Sequence, residues 1–208
     1  NAKLQQSMGC ATQLYSPAEL AQKFPHGNFD GIAMASFAPT GEGWFDPYGL
    51  LTLVRKGAIA KGVDYIADEV IGIAADERVK SVTLKNAGEI SAGVVVNAGG
   101  TSGGAIAAMV GFDLPVSAAK RYVYVVDCPA APEEFRTGPK WFNNDGVYWR
   151  AEGRNFIFGF TPSEDEEPEI ADWEMDHHWF EDKIWPSAFE RIAIFESLKV
   201  VSSYVGHY

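Results

Sequence analysis

Cysteines, long apolar runs and basic residues are all scarce in this chain of 208 residues. The two cysteines, Cys10 and Cys128, lie far apart, which excludes a disulfide framework and fits a reducing compartment. The longest apolar runs have the length of a strand, so no membrane helix of about 20 apolar residues is predicted. The N-terminal residues lack the pattern of a signal peptide, and we therefore expect a cytoplasmic location.

Negative charge exceeds positive charge, and the excess is local. Asp and Glu number 28 against 17 Lys and Arg, for a net charge of −11. Ten acidic residues and no Lys or Arg lie between Glu164 and Asp182, so the rest of the chain carries only −1. Nucleic-acid binding depends on Lys and Arg that neutralise phosphates, which argues against nucleic acid as a partner. A basic protein partner for this acidic stretch stays open.

Capping residues and hydrophobic patterns predict alternating helices and strands. Ser16-Pro17-Ala18-Glu19 has the form of a capping box, and Asp46-Pro47 is a second helix start. Pro186 is expected to break or kink the helix that follows the acidic stretch. The predicted strands are 31–38, 63–67, 69–74, 79–85, 93–97, 121–126, 146–151, 156–161 and 199–204.

A glycine-rich segment at 98–104 follows the apolar strand at 93–97 and precedes a predicted helix at 105–110. The continuous apolar run is typical of a strand buried on both faces. Glycines let the backbone approach a phosphate or a flat ring, and a helix N-terminus favours an anion. The spacing does not match G-x-G-x-x-G, so the segment is either a nucleotide contact or a tight turn between strand and helix.

The neighbouring residues His177 and His178 suggest a metal ion, because Glu174 and Asp182 lie close by in the sequence. Adjacent helical residues point about 100° apart, so the two histidines cannot easily share one ion. Glu174 and His178 form the better pair, but a solvated helix face explains these residues best, and no metal is predicted. Spacing alone shows no Ser-His-Asp or Cys-His arrangement, so the catalytic side chains are unassigned.

Seven stretches, taken in order, carry a resemblance to a known family. They are 14–20, 43–47, 94–100, 114–116, 120–125, 146–148 and 176–186. Together they resemble the D-amino-acid oxidase and sarcosine oxidase superfamily of FAD-dependent oxidoreductases, and above all its FAD-dependent oxidoreductase domain-containing branch. Family members begin with a G-x-G-x-x-G segment that this sequence lacks, and they continue past Gly206-His207-Tyr208. The chain is therefore expected to be a central fragment of such an enzyme.

The resemblance implies a mixed α/β (α+β) fold with two lobes. A partial FAD/NAD(P)-binding-type lobe is expected at 44–113. A substrate lobe with a mainly antiparallel sheet is expected from two segments, 1–43 and 114–208, the second returning to the FAD lobe at its C-terminus.

The resemblance also implies the residues of a site. The expected cofactor contacts are Val70, Asn97, Ala98, Gly99 and Gly100, and the expected substrate contacts are Tyr148, Thr161 and Tyr208. Thr161 stands where sarcosine oxidases carry a histidine, so their substrate preference is not carried over. Gly206 occupies the position of a cysteine that some members link to flavin, which implies non-covalent FAD.

The implied activity is oxidation of a small-molecule amine or amino acid, with hydride transfer from the C–H bond beside the nitrogen to the flavin. We expect the isolated chain to lack FAD and to be inactive, because the sequence lacks the segment that binds the pyrophosphate. Two other hypotheses stay open: a flavin-free protein-interaction module derived from this family, and an independent nucleotide binder at 99–104. An apolar strand at 93–97 without a neighbour also predicts a homo-oligomer.

Overall fold

The computed structural model describes residues 1–168, 170 and 172–207, and it confirms a mixed helix and sheet fold with antiparallel sheets. In chain order the elements are α1 (Ala2–Ser7), β1 (Gln13–Tyr15), α2 (Pro17–Lys23), β2 (Ala35–Phe37), α3 (Pro47–Ala60), β3 (Val70–Ala75), β4 (Val79–Leu84), β5 (Gly88–Ser91), α4 (Gly103–Ala108), β6 (Lys120–Asp127), α5 (Glu133–Arg136), β7 (Trp141–Phe142), β8 (Val147–Glu152), β9 (Asn155–Phe160), α6 (Trp185–Arg191) and β10 (Lys199–His207). None of the described helices is long and apolar enough to cross a membrane.

The chain divides into two compact units. Unit 1 consists of Asn1–Pro39 with Ala118–Tyr208, and unit 2 consists of Thr40–Ser117. Each unit is described by itself below. The assignment of unit 1 to substrate binding and of unit 2 to FAD binding stays a prediction.

A five-stranded antiparallel sheet in the order β10-β6-β9-β8-β7 is the centre of unit 1. The predicted hairpin is confirmed as β8 and β9, whose register pairs Glu152 with Asn155 across a two-residue turn. Gly153 occupies that turn with φ +59°, a conformation that glycine adopts without strain. The predicted last strand is confirmed and lengthened, because β10 pairs with β6 as far as His207.

One face of this sheet carries the core of unit 1. Successive register pairs place Tyr124, Phe158, Trp149 and Trp141 in one row across β6, β9, β8 and β7. Tyr124 and Phe158 are fully buried and Trp149 is 2% exposed. Phe195 packs edge-on against Phe158 at 5.3 Å between ring centroids. Aromatic packing of this kind contributes about 0.5–1.5 kcal/mol per pair beyond the buried area.

The helical region that covers this core changes geometry near Pro186. A π-helical turn at Phe180–Ile184 runs directly into α6, and Pro186 lies in the first turn of α6. Because the helical run is continuous through Trp185, Pro186 lacks the N–H that would donate to the preceding turn, and the turn before it is π-helical. The expected interruption is therefore a change from π to α geometry rather than a break in the helix.

The N-terminal part of unit 1 forms a small antiparallel pair, β1 with β2, beside α2. The capping box is confirmed: the Glu19 backbone N–H donates to Ser16 Oγ, and the Ser16 backbone N–H donates to the Glu19 carboxylate at 2.7 Å. Only the part Ala35–Phe37 of the predicted strand 31–38 is a strand.

Unit 2 contains α3, the antiparallel meander β3-β4-β5 and the short helix α4. The second predicted helix start is confirmed, because the Tyr48 N–H donates to the Asp46 carboxylate at 3.0 Å. None of the residues of α3 is buried, so this helix packs loosely within its own unit.

Two predicted strands of unit 2 are wrong. Residues 63–67 and 93–97 have no strand structure, and Val94 and Val96 are 80% and 84% exposed rather than buried. An apolar run forms a buried strand only where neighbouring strands satisfy its backbone groups. The described sheets provide no such neighbour for either run.

Candidate functional site

The second face of the unit 1 sheet carries Tyr148, and we call it the Tyr148 face. Register pairs across all five strands place Tyr204, Val123, Gly159, Tyr148 and Phe142 in one row on this face. Side chains alternate along a strand, so this row points away from the aromatic core. Phe142 and Tyr204 are 70% and 54% exposed, and Tyr148 is half-buried. Tyr148 thus lies in the middle of an accessible aromatic surface.

Gly159 is what allows Tyr148 to lie flat across the sheet. A Cβ atom at this glycine would be 2.2 Å from Tyr148 Oη and 2.3 Å from Cζ. The ring therefore covers the backbone of β9 where any other residue would carry a side chain. The family resemblance implies that Tyr148 contacts the substrate.

Lys140 lies against the same ring. Its Nζ atom is 4.2 Å from the ring centroid of Tyr148 and 4.5 Å from that of Phe142. Burial lowers the pKa of this ammonium group, and the positive charge of Arg150 lowers it further. Among the described residues, none forms an ion pair with Lys140. The Tyr148 face therefore presents the Lys140 ammonium beside the rings of Tyr148 and Phe142.

Thr161 is placed on the same face as Tyr148. Its backbone N–H donates to the Gly146 carbonyl at 3.0 Å, which continues the β8–β9 pairing by one step. Since Thr161 is two residues beyond Gly159, the strand alternation directs its exposed side chain to the Tyr148 face. Two of the three predicted substrate contacts therefore share one surface, and the third, Tyr208, lies outside the described residues.

The acidic stretch is tied to the protein's own cations. Arg121 and Glu167 form a two-pronged ion pair with both N–O distances at 2.6 Å. The buried Lys120 pairs with Asp172, and Lys183 pairs with Glu166 at 2.7 Å. Sequence reasoning missed these pairs because the cations lie outside the stretch or at its edge.

The pKa of Asp172 shows the effect of this pairing. The Lys120 ammonium donates a hydrogen bond to the carboxylate and holds its pKa below the ordinary value of 3.8. The backbone N–H of Glu174 donates to the same carboxylate at 2.9 Å and acts in the same direction. The acidic stretch therefore has fewer free carboxylates for a basic partner than its composition indicates.

In unit 2, the side chain of Asn97 orders the glycine-rich segment. Its Oδ1 accepts from the Gly99 N–H at 3.1 Å and its Nδ2 donates to the Gly103 carbonyl at 2.8 Å. A Cβ at Gly99 would be 2.4 Å from Ile106 Cδ1, so packing within the unit explains this glycine. The helix that follows, α4, has six residues. Alone, the segment therefore has the features of the tight turn rather than of a nucleotide site.

Part of the same segment presents its backbone to open space. Gly100 has φ +54°, and a Cβ there would meet no atom within 4 Å, so its backbone faces open space. Ala98 lies between this glycine and Asn97, and Val70 begins β3, the edge strand of the meander. None of these residues carries a positive charge that could pair with a pyrophosphate.

Glu174 and His178, the pair that would best suit a metal ion, belong to no cluster of possible metal ligands among the described residues. Among the described residues, no three His, Cys, Asp or Glu side chains lie close enough to hold a metal ion. The His178 backbone N–H instead donates to the Asp176 carboxylate at 2.9 Å, a local turn contact.

Comparison with known proteins gives consistent matches over the whole chain. The model of the FAD dependent oxidoreductase family (DAO) matches residues 1–208. FAD-dependent oxidoreductase domain-containing protein 1 of Xenopus laevis is 36% identical over 240 residues, which cover 100% of this chain and 48% of that protein. The Bos taurus protein of the same name is 34% identical over 100% of this chain and 49% of its own length. The chain thus spans about half the length of these relatives.

The fold matches a solved amino-acid dehydrogenase. The L-proline dehydrogenase from P. horikoshii has a TM-score of 0.81 at 21% identity, covering 99% of this chain and 55% of that one. At this identity the likeness concerns the fold alone. A fold can carry many functions, so the chemistry has to be argued from the side chains of the site.

Proposed function

The chain belongs to the FAD dependent oxidoreductase family, and from this we propose that it is the central part of an enzyme that oxidises a small amino acid with FAD. FAD is the family's cofactor, and when bound it supplies the hydride acceptor. The residues of unit 2 that would contact it are Val70 and the segment 97–100. The residues of unit 1 that would bind the substrate are Lys140, Tyr148 and Thr161.

The observation that carries the proposal is the ammonium of Lys140 on the Tyr148 face, for which the described residues provide no ion-pair partner. A carboxylate bound there would accept a hydrogen bond from Lys140 Nζ, which is a strong donor to an anion because it is charged. An amine without a carboxylate would not use this cation, so the arrangement favours an amino acid over a simple amine.

The other polar group on this face, the Thr161 hydroxyl, would orient the substrate. A hydroxyl can donate or accept, so it suits either a carboxylate oxygen or an amine hydrogen. The names of the solved relatives support this substrate class, since L-proline dehydrogenase is named for an amino acid. The position in which these residues hold the substrate then determines which of its C–H bonds would face the flavin. We assign no general base.

Substitution of Lys140 tests the proposal in the flavin-loaded enzyme that contains this chain. Lys140→Met should raise KM for L-proline by about 10–100-fold, because a charge-assisted hydrogen bond contributes about 1.5–3 kcal/mol. The KM for pyrrolidine, which lacks the carboxylate, should change by less than about twofold. Lys140→Arg should restore part of the loss for L-proline, since it keeps the charge.

The control for this experiment is Lys199→Met, an exposed lysine at the start of β10. It should leave both KM values unchanged. An equal rise in KM for L-proline and pyrrolidine would show that Lys140 acts through the structure of the sheet and not through the carboxylate. An unchanged KM for several small amino acids would contradict the proposed substrate class.

A further inference from the structure

A cavity in unit 1 lies apart from the Tyr148 face, and we propose that it is a second ligand site for a small aromatic carboxylate. It has a volume of about 230 Å³ and lies between the end of α2, α5 and the strands β7 to β9. Trp141 and Trp149, which line it, belong to the aromatic row on the core side of the sheet. Tyr148 and Lys140 are not among the residues that line it, although their neighbours Arg150 and Pro139 are.

The walls of the cavity favour a flat ring. Trp141 is stacked between Phe29 and Trp149, with ring centroids 5.9 Å and 5.5 Å away. Both faces of its ring are therefore covered, which leaves its edge to line the cavity. Phe24 meets Trp141 edge-on at 5.4 Å. Aromatic rings prefer edge-to-face and offset contacts at about 4.5–7 Å between centroids. A ligand ring would extend this existing arrangement without moving Trp141.

A glycine next to the cavity holds the tryptophan in place. A Cβ at Gly27 would be 2.6 Å from Phe29 and 3.2 Å from Trp141, so this residue lets the chain pass close behind both rings. The rest of the core is filled by buried aromatic side chains, whereas this site keeps free volume. A cavity with fixed aromatic walls and few polar groups is typical of a small-molecule site.

Two cations, Lys23 and Arg150, and one carboxylate, Glu134, line the cavity, and this balance favours an anion. Arg150 is paired with Glu152, and the Glu134 carboxylate lies 3.2 Å from His26 Nε2. Lys23 lines the mouth too, and its Nζ atom lies 5.2 Å from the ring centroid of Phe37 and 5.9 Å from that of Phe24. No carboxylate of the described residues pairs with Lys23. An aromatic acid would place its ring in the cavity and its carboxylate at this lysine.

Titration of the 208-residue chain with 4-fluorobenzoate, followed by fluorine NMR, tests the site. We expect a Kd of about 0.1–1 mM, the range for a ligand of this size. Lys23→Gln should weaken binding at least about tenfold, as expected for loss of a charge-assisted contact. Ala151→Leu fills the buried end of the cavity from β8 and should abolish binding. Benzylamine, with the opposite charge, should bind at least about tenfold more weakly than benzoate.

Lys140→Met distinguishes this site from the proposed substrate site, because Lys140 lies on the other face of the sheet. It should leave the affinity for 4-fluorobenzoate unchanged. Binding that is lost in Lys140→Met but kept in Lys23→Gln would overturn the second site and would support the proposed function. Tighter binding of benzylamine, or no binding of 4-fluorobenzoate at about 10 mM, which is beyond the affinity expected for this ligand size, would also overturn it.

Discussion

Substitution of Gly159 by alanine tests the placement of Tyr148 quantitatively. The new Cβ would lie 2.3 Å from Tyr148 Cζ, well inside the ordinary contact distance of 3.4 Å. The ring must move by about 1 Å, which overpacks the Tyr148 face and should cost about 1–3 kcal/mol of unfolding free energy. In the Tyr148→Ala background the clash is absent, and Gly159→Ala should instead stabilise the strand by about 0.5–1 kcal/mol.

The two results together predict a coupling free energy of about 1.5–4 kcal/mol between positions 148 and 159. Urea unfolding followed by tryptophan fluorescence measures it for unit 1, which contains Trp141, Trp149, Trp173, Trp179 and Trp185, five of the six tryptophans. Gly206→Ala is the matched control, because a Cβ there meets no atom within 4 Å. Additive effects, within about 0.5 kcal/mol, would show that the Tyr148 ring does not cover Gly159.

Three further outcomes are expected. Asn97→Ala removes two hydrogen bonds of the glycine-rich segment, so the unfolding free energy should fall by about 1–3 kcal/mol. Amide exchange at Gly99 should accelerate, and unchanged exchange would contradict the ordering role of Asn97. The lowered pKa of Asp172 means that its stabilisation is complete above pH 3.8 and is lost as the pH falls through the folded value. Asp172→Asn should therefore flatten the loss of stability below pH 3.8, and an unchanged slope would count against the pair with Lys120. The 208-residue chain expressed alone should purify colourless, because its FAD contacts lack a pyrophosphate-binding segment and affinity should be at least about 10³-fold reduced; a yellow preparation with one FAD per chain would refute this.

Local signals in the sequence predicted much of the fold. The capping box at Ser16 and the β8–β9 hairpin were recognisable because each depends on residues a few positions apart. The apolar run at 93–97 was misjudged because its state depends on neighbouring strands, and sequence alone does not show whether these are present. The π-helical turn at Phe180–Ile184 was also unforeseen, since it has no local signature comparable to a cap.

The candidate site was predictable only in part. The alternation of strand residues is enough to place Tyr148 and Thr161 on one face once the hairpin register is known. Lys140 lies in a segment rich in proline and polar residues and had no periodic pattern to mark it, so its contact with Tyr148 became visible only in three dimensions. Lys120 and Arg121 pair with Asp172 and Glu167, which lie far away in the sequence. Composition does not reveal such pairs, so the acidic stretch was interpreted as a free surface. The cytoplasmic location and the self-association expected from the sequence stay predictions.

The pairing of β10 with β6 has a consequence for the order in which the protein can form during synthesis. Unit 2 is one continuous segment of the chain. Unit 1 is interrupted by unit 2, and its sheet is completed only when Lys199–His207 reaches β6. Until then β6 has one unpaired edge, and closing the long loop between the two strands carries an entropic cost that local pairs do not have. Unit 2 can therefore be completed first during synthesis, whereas the sheet of unit 1 stays incomplete until its last strand has been made.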